Sequence, residues 1–262
     1  AGISKMMIRL AKIMSPVYDE ILQDVKGGTM IFADETGWRV KGVLWWLWIF
    51  ANKTTAYYFP SKLRSSAVVE NILGNLFSGV LITDAWYAYM KIVCTKQTCM
   101  AHILRKIRKF RDAYPQYYSI ITFYKKLRRI LLDGEKLRAM RNEIGEENFN
   151  RRLNLLKMRL NQLLAWKNTN KILQEIIAKV RRQQAYILTF VEHDGVPNHN
   201  NFGEYIISEN GLVGPLFRAI IKLTSLKLCH ISTFNFESSP IGSYIVPING
   251  KQLFSDGCCS VP

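Results

Sequence analysis

Two short apolar segments of the chain each lead into an aspartate. Residues 30–33 are followed directly by Asp34, and residues 80–83 are followed directly by Asp84. Short apolar runs bounded by glycine and polar residues are typical of buried strands. Because neighbouring strands lie about 5 Å apart, two such strands in one sheet would bring their carboxylates together. We therefore expect a sheet that presents two acidic side chains at its edge.

The segments around these two strands predict a mixed α/β sheet. Residues 43–50 and 55–59 are rich in β-branched and aromatic residues, and the short polar link between them is typical of a hairpin. Residues 65–77 have apolar residues at helical spacing. A further strand is predicted around 97–100, and a basic helix is predicted from His102 onward. This alternation favours a mixed sheet with flanking helices.

The second half of the chain has a different pattern. From 119 to 191 the apolar residues recur at helical spacing, which predicts an all-helical insertion of two or three long helices. Residues 197–201 form a polar break, and a helix that begins near Asn200 or Asn201 would place Glu204 in its first turn. The predicted organisation has five segments: an N-terminal helical segment (1–28), the first part of the core (29–114), a basic helical insertion (115–195), the last part of the core (196–231) and a poorly ordered or degenerate tail (232–262).

The positive charge of the chain is concentrated in this helical region. The net charge is +16, and residues 102–183 hold 21 of the 36 Lys and Arg but only 7 of the 20 Asp and Glu. Such a block of positive charge favours binding of a polyanion such as nucleic acid. The alternative is that these residues form solvated helix faces on a basic protein. The longest apolar run, 43–50, is far shorter than the roughly 20 residues of a membrane-spanning helix. No membrane partner is therefore expected, and five irregularly spaced cysteines favour a reducing cytoplasm.

The two aspartates permit two interpretations. Carboxylate oxygens are the ligands that Mg²⁺ prefers. Two such ions can stabilise both the attacking and the leaving oxygen when a phosphodiester is cleaved. An aspartate after a strand also commonly caps a turn or the next helix. From the spacing alone, both interpretations stay open.

Four segments of the chain resemble conserved blocks of the insertion sequence 66 (IS66) transposase family, in the order and spacing of that family. They are Asp-Glu-Thr-Gly-Trp-Arg at 34–39 with the Trp-rich strand after it, Gly-Val-Leu-Ile-Thr-Asp-Ala-Trp-Tyr-Ala-Tyr at 79–89, Cys-Met-Ala-His-Ile-Leu-Arg at 99–105, and Val-Pro-Asn-His-Asn-Asn-Phe-Gly-Glu at 196–204. The resemblance covers about residues 5–205.

The resemblance implies an RNase H-like mixed sheet with a long all-helical insertion before the last catalytic helix. It implies that Asp34, Asp84 and Glu204 are catalytic residues that hold two Mg²⁺ ions, with Mn²⁺ as a possible substitute. The implied reaction is phosphodiester hydrolysis at element ends and strand transfer into target DNA. A homo-oligomer in a synaptic complex, a nucleoid-associated cytoplasmic location and the lack of a small-molecule substrate are further expectations.

The basic helices are expected to bind the DNA. The resemblance places His102 and Arg105 near the substrate, where His102 would orient a phosphate or shuttle a proton and Arg105 would bind phosphate oxygens. A histidine that caps the helix or is partly buried is the alternative for His102. The predicted DNA-binding residues are His102, Arg105, Lys106, Arg108, Lys109, Lys125, Lys126, Arg128 and Arg129.

Several residues depart from the family pattern, namely His199, Gly203 and Tyr205 around the third acidic residue. These departures, together with the polar tail, are typical of a truncated or degenerate copy. Two alternatives therefore stay open: an inactive remnant that only binds DNA, and an RNase H-like nuclease or resolvase. Glu35, next to Asp34, is interpreted as a structural residue or as one that supports the site from behind, and Cys99 as a small buried apolar residue.

Overall fold

The computed structural model describes residues 2–40 and 42–207. The predicted tail at 232–262 and the predicted core residues 208–231 lie outside these described residues. The chain divides into two compact units. The first contains the residues up to Arg64 together with the segment that begins at Gly203, and the second is Ser65–Phe202.

The fold is mixed α/β, as predicted, with a five-stranded mixed sheet flanked by helices. This architecture is compatible with an RNase H-like fold. The strands are β1 (Met30–Val40), β2 (Val43–Ala51), β3 (Ala56–Ser61), β4 (Leu76–Thr83) and β5 (Val93–Thr98). The helices are α1 (Gly2–Ile13), α2 (Ser15–Gly27), α3 (Ser66–Leu73), α4 (Met100–Ala113), α5 (Tyr118–Ala139), α6 (Arg141–Ile144), α7 (Glu146–Leu164), α8 (Lys171–Arg181), α9 (Thr189–Glu192) and α10 (Asn201–Ile207).

In the first unit, β1, β2 and β3 form an antiparallel meander. The predicted hairpin between β2 and β3 is confirmed, but β1 is longer than predicted. It continues six residues past Asp34 because Glu35 to Val40 pair with β2, ending in the pair Val40 and Val43. Gly42 in the connecting turn has a φ of 81°, a conformation that favours glycine over residues with a Cβ.

Helix α2 packs against β3 in the same unit. The hydroxyl of Tyr18 donates a hydrogen bond of 2.9 Å to the carbonyl of Tyr58, and the rings of Tyr18 and Tyr57 lie 4.5 Å apart. Trp48 is fully buried in β2, so this tryptophan belongs to the sheet core. The N-terminal segment is divided into two helices, since α1 ends at Ile13 and α2 begins at Ser15, with Pro16 in its first turn.

In the second unit, β4 and β5 pair in parallel. The helix predicted over 65–77 ends at Leu73, and β4 begins at Leu76. The apolar residues continue at helical spacing from the helix into β4, which is why the prediction was too long. Gly74, with a φ of 78°, ends the helix.

Every assigned element between residues 115 and 195 is helical, as predicted, with α5 packed on α7 and α9. Two buried hydrogen bonds join the end of this insertion to β5. The Thr189 hydroxyl donates to the Lys96 carbonyl at 2.6 Å, and the Phe190 amide donates to Oε1 of Gln97 at 2.8 Å. Within 2–40 and 42–207, none of the helices combines the length and apolar character needed to cross a bilayer.

Gly134 allows α9 to approach α5 closely. A Cβ atom at this position would lie 2.9 Å from the ring of Phe190 and 3.0 Å from a methyl group of Val191. Alanine usually stabilises a helix interior relative to glycine by about 0.5–1 kcal/mol. Here we expect Gly134→Ala to lower the free energy of unfolding by about 1–3 kcal/mol, because the added methyl overpacks the contact. Urea unfolding measures this change.

The exposed residue Leu132 on the same helix provides the control. Leu132→Ala is expected to change the free energy of unfolding by only about 0.5 kcal/mol. A Gly134→Ala variant that is more stable than the wild type would contradict the close approach of α5 and α9.

Candidate active site and DNA-binding surface

Asp34 lies in the interior of β1, directly after the buried residues 30–33. It is half-buried, pairs with Ile49 of β2, and its Oδ1 atom accepts a hydrogen bond of 2.9 Å from the Glu35 amide. The prediction that a strand delivers Asp34 is confirmed. The prediction that the strand ends there is wrong, because its pairing with β2 continues to Val40.

Glu35 has a structural contact next to Asp34. Its side chain is only 2% exposed and forms an ion pair of 2.7 Å with Arg64. The Arg64 guanidinium also lies 4.3 Å from the centre of a Trp46 ring. A buried carboxylate that lost its charge partner would destabilise the fold, which supports the structural interpretation of Glu35.

Asp84 follows β4 immediately, as predicted. Its Oδ1 atom accepts a hydrogen bond of 2.9 Å from the amide of Trp86, the residue directly before the 3₁₀ helix Tyr87–Lys91. The turn-capping role is therefore present. The other carboxylate oxygen, Oδ2, makes no hydrogen bond within the described part of the chain, so the cap does not use the whole carboxylate.

The segment before α10 is attached to the start of α4 by two hydrogen bonds, one between backbone groups and one from a backbone amide to a side-chain sulfur. The Met100 amide donates to the Asn198 carbonyl at 2.9 Å, and the Asn200 amide donates to Sγ of Cys99 at 3.2 Å. The Cys99 amide in turn donates to the carbonyl of Thr83 at 2.7 Å. Cys99 is fully buried, as predicted, and its sulfur also fixes the chain that precedes Glu204.

The helical insertion contacts this same segment. Arg138 of α5 donates a hydrogen bond of 2.6 Å to the Val196 carbonyl, and Glu135 accepts one of 2.8 Å from the side-chain amide of Asn198. Arg138 and Glu135 also form an ion pair of 2.9 Å. The sequence analysis missed this role, because nothing in the spacing distinguishes these two charges from the others on α5.

Glu204 lies in the first turn of α10, which begins at Asn201 as predicted. It is half-buried. Asp34 and Glu204 belong to the first unit, whereas Asp84, His102 and Arg105 belong to the second. The convergence of the three acidic residues stays a prediction.

A comparison with family models identifies the chain. The model described as the Transposase IS66 family matches residues 1–208, which is most of the 262-residue chain. The chain belongs to the IS66 transposase family. Comparisons with curated proteins and with solved structures found no match. The four sequence blocks that carried the resemblance all lie within the matched residues.

The predicted DNA-binding residues of this IS66-family chain lie on α4 and α5 in the second unit. His102 is half-buried, and the other eight are exposed. In α4 the buried residues Ile103 and Ile107 lie one turn apart, so the cations occupy the remaining faces of an amphipathic helix. The interface itself stays a prediction.

Some of these cations have partners within the second unit. Arg108 donates to the Tyr124 hydroxyl at 3.3 Å, a hydrogen bond that raises the pKa of its guanidinium. Arg129 pairs with Asp133 at 2.9 Å. By contrast, five of the predicted cations other than Arg108 form no ion pair with any described residue: Lys106, Lys109, Lys125, Lys126 and Arg128. The field of a cation without a carboxylate partner is not offset by a neighbouring negative charge, so it attracts an external anion more strongly.

Arg138 gives a test of the role of the insertion in positioning. Arg138→Ala removes the donor to Val196, and a displacement of about 1 Å at a reacting group can cost about 10²-fold in rate. We therefore expect DNA cleavage by the variant to fall roughly 10- to 100-fold, with duplex affinity nearly unchanged. Rates and affinities are measured on the same preparations.

Two variants control this experiment. Lys136→Ala removes the same charge from an exposed position on the same helix and should cleave at the wild-type rate. Arg138→Lys retains a donor at this position and should restore part of the lost cleavage rate. A purely structural defect would not be restored in this way. Equal rates for Arg138→Ala and Lys136→Ala would refute the positioning role.

Proposed function

We propose that this IS66-family chain catalyses DNA transposition with Asp34, Asp84 and Glu204 as its metal-ligating residues. The main support is the family match over residues 1–208. Two of the three acidic residues follow buried strand segments, and the third lies in the first turn of α10. DNA is the partner that membership of a transposase family implies.

The residues fit a hard divalent cation. All three offer carboxylate oxygens, the ligand type that Mg²⁺ and Mn²⁺ accept, and each is half-buried, so it is still accessible to a ligand. When bound, two such ions would polarise the phosphodiester and lower the pKa of water. The oxygen Oδ1 of Asp84 maintains the turn at Trp86, which leaves Oδ2 as the oxygen for a cation.

The reaction has two steps of the same type. Water attacks the phosphodiester at the end of the element, and the leaving oxygen becomes a 3′-hydroxyl. That hydroxyl then attacks a phosphodiester of the target DNA and releases a new 3′-hydroxyl. The exposed cations of α4 and α5 would bind backbone phosphates in both steps, which positions the DNA without reading its sequence.

The direct test is cleavage of a DNA duplex that carries an element end, with Mg²⁺, with Mn²⁺ or with EDTA. We expect nicks at one position in either metal and none in EDTA, followed by products joined to a target duplex. Strand-specific labels and denaturing gels resolve the two steps.

The same assay separates the alternatives. Tight duplex binding with no cleavage in either metal would favour the inactive remnant, which the departures at His199, Gly203 and Tyr205 leave open. A preference for four-way junctions over linear ends would favour a resolvase. Either result would reject transposition by this chain.

A further inference from the structure

An apolar cleft of about 230 Å³ lies between α4 and α8 in the second unit. Ile107 of α4 and Ile176 and Val180 of α8 line it, and each of them is at most 3% exposed. The half-buried ring of Phe110 also lines it. This volume is below the roughly 300–1,000 Å³ of pockets for drug-sized ligands, so the cleft suits a single small group.

Three cations surround this apolar cleft. Lys106, Lys179 and Arg182 line it, and all three are exposed. The ammonium of Lys179 lies 5.9 Å from the centre of the Phe110 ring. Among the described residues, none of the three cations forms an ion pair with a carboxylate. An apolar cleft with a positive rim complements a ligand that combines a flat apolar face with an anionic group.

The cleft also lies beside the candidate active site. Ala85, the residue after Asp84, forms part of its lining. Gln183 lines it as well and is held in place because its Oε1 accepts a hydrogen bond of 3.0 Å from the Thr98 hydroxyl. A ligand in the cleft would therefore lie next to the loop that presents Asp84.

We propose that this cleft, the α4–α8 cleft, binds one unpaired nucleotide of the DNA end. The base stacks on Phe110 and packs on the aliphatic walls, and its phosphates contact the cations of the rim. Aromatic stacking of a base contributes about 1–3 kcal/mol and tolerates any base. Proteins that act on DNA can take a base out of the duplex stack and hold it in a pocket between aromatic and apolar side chains. The inference rests on the proposed function, since that function supplies the DNA end.

The test compares two DNA ends in EDTA, so that binding is measured without cleavage. One duplex is blunt, and the other ends in a single unpaired 2-aminopurine nucleotide, whose fluorescence reports stacking. We expect the unpaired end to bind roughly 5- to 100-fold more tightly than the blunt end, with a change in the fluorescence. Equal affinity for both ends would overturn the proposal.

Two sets of variants test the residues. Phe110→Leu keeps an apolar side chain but removes the aromatic ring, and it should abolish most of the preference for the unpaired end. The double variant Lys179→Gln/Arg182→Gln should do the same. The double variant Lys167→Gln/Lys171→Gln is its control: it removes equal charge from exposed positions outside the cleft and should keep the preference. The ratio of the two affinities is compared, so a general loss of DNA binding does not affect the result. A preference that survives in both cleft variants would reject the site.

Free deoxyadenosine monophosphate tests whether the ligand of the cleft is a nucleotide of a DNA strand or a free mononucleotide. It should compete with the unpaired end only weakly, because the phosphates of a continuous strand contribute to binding. Tight binding of the mononucleotide without any preference for the unpaired end would overturn the assignment to DNA. Cleavage in Mg²⁺ is measured on the same proteins: cleavage without the preference rejects only the cleft, and the preference without cleavage rejects only the proposed catalysis.

Discussion

Asp84→Asn is expected to abolish metal-dependent DNA cleavage while DNA binding and folding are retained. The substitution preserves the shape of the side chain, and its amide oxygen can still accept the hydrogen bond from the Trp86 amide. Only the negative charge is lost. We expect the cleavage rate to fall by at least roughly 10²–10³-fold, as when one electrostatic group is removed from an active site.

Asp34→Asn and Glu204→Gln extend the same experiment to the other two carboxylates. In the Asp34→Asn variant, the side-chain amide oxygen can still accept the hydrogen bond that the Glu35 amide donates to Oδ1 in the wild type. Both variants should lose cleavage to a similar extent. Binding of Mn²⁺, followed by electron paramagnetic resonance, gives a second measurement that does not depend on turnover, and it should weaken in all three variants.

Asp112→Asn provides the matched control. Asp112 is an exposed aspartate of α4 that pairs only with its neighbour Arg111 among the described residues. Its variant should cleave and bind Mn²⁺ like the wild type. If Asp84→Asn also cleaves at the wild-type rate, Asp84 serves only as the cap of its turn, and the proposed ligand set is wrong.

The capping of Asp84 shows what a sequence pattern can and cannot determine. Both roles of a strand-end aspartate, cap and ligand, use the same residue type at the same position. The structure assigns Oδ1 to the cap and so makes the two roles compatible. The sequence could not separate them, because the choice concerns individual oxygen atoms.

The boundaries of β1 show a second limit. The apolar residues 30–33 predict a strand correctly, but the polar residues that follow gave no pattern of alternation. Their strand conformation depends on pairing with β2 across the turn at Gly42. A glycine between two potential strands was the available signal for this longer hairpin.

The helical insertion was predictable as helices but not as a support for the site. Helical spacing is a local property, and it correctly indicated α5, α7 and α8. The bond from Asn198 to Glu135 joins residues 63 positions apart, and the bond from Phe190 to Gln97 joins residues 93 positions apart. Such contacts arise from the tertiary fold, so no spacing rule contains them.

Neutralising three cations of the second unit is expected to weaken DNA binding and its dependence on salt. Lys109, Lys125 and Arg128 are exposed and form no ion pair among the described residues. Each phosphate contact contributes about 0.9 to the slope of log affinity against log salt concentration. Substituting all three by glutamine should therefore reduce that slope by up to about 3 and the affinity near 0.1 M salt by roughly 10²-fold or more.

Location, rather than total charge, should determine this loss. Lys5, Lys12 and Lys53 are exposed cations of the first unit, and their triple glutamine variant has the same net charge as the α4–α5 variant. If the predicted surface binds the phosphates, the first-unit variant keeps nearly the full salt slope, because its three cations are not part of that surface and contribute no phosphate contact. Equal losses in the two variants would mean that DNA responds to the overall charge of the protein, and the assignment of the interface to α4 and α5 would be wrong.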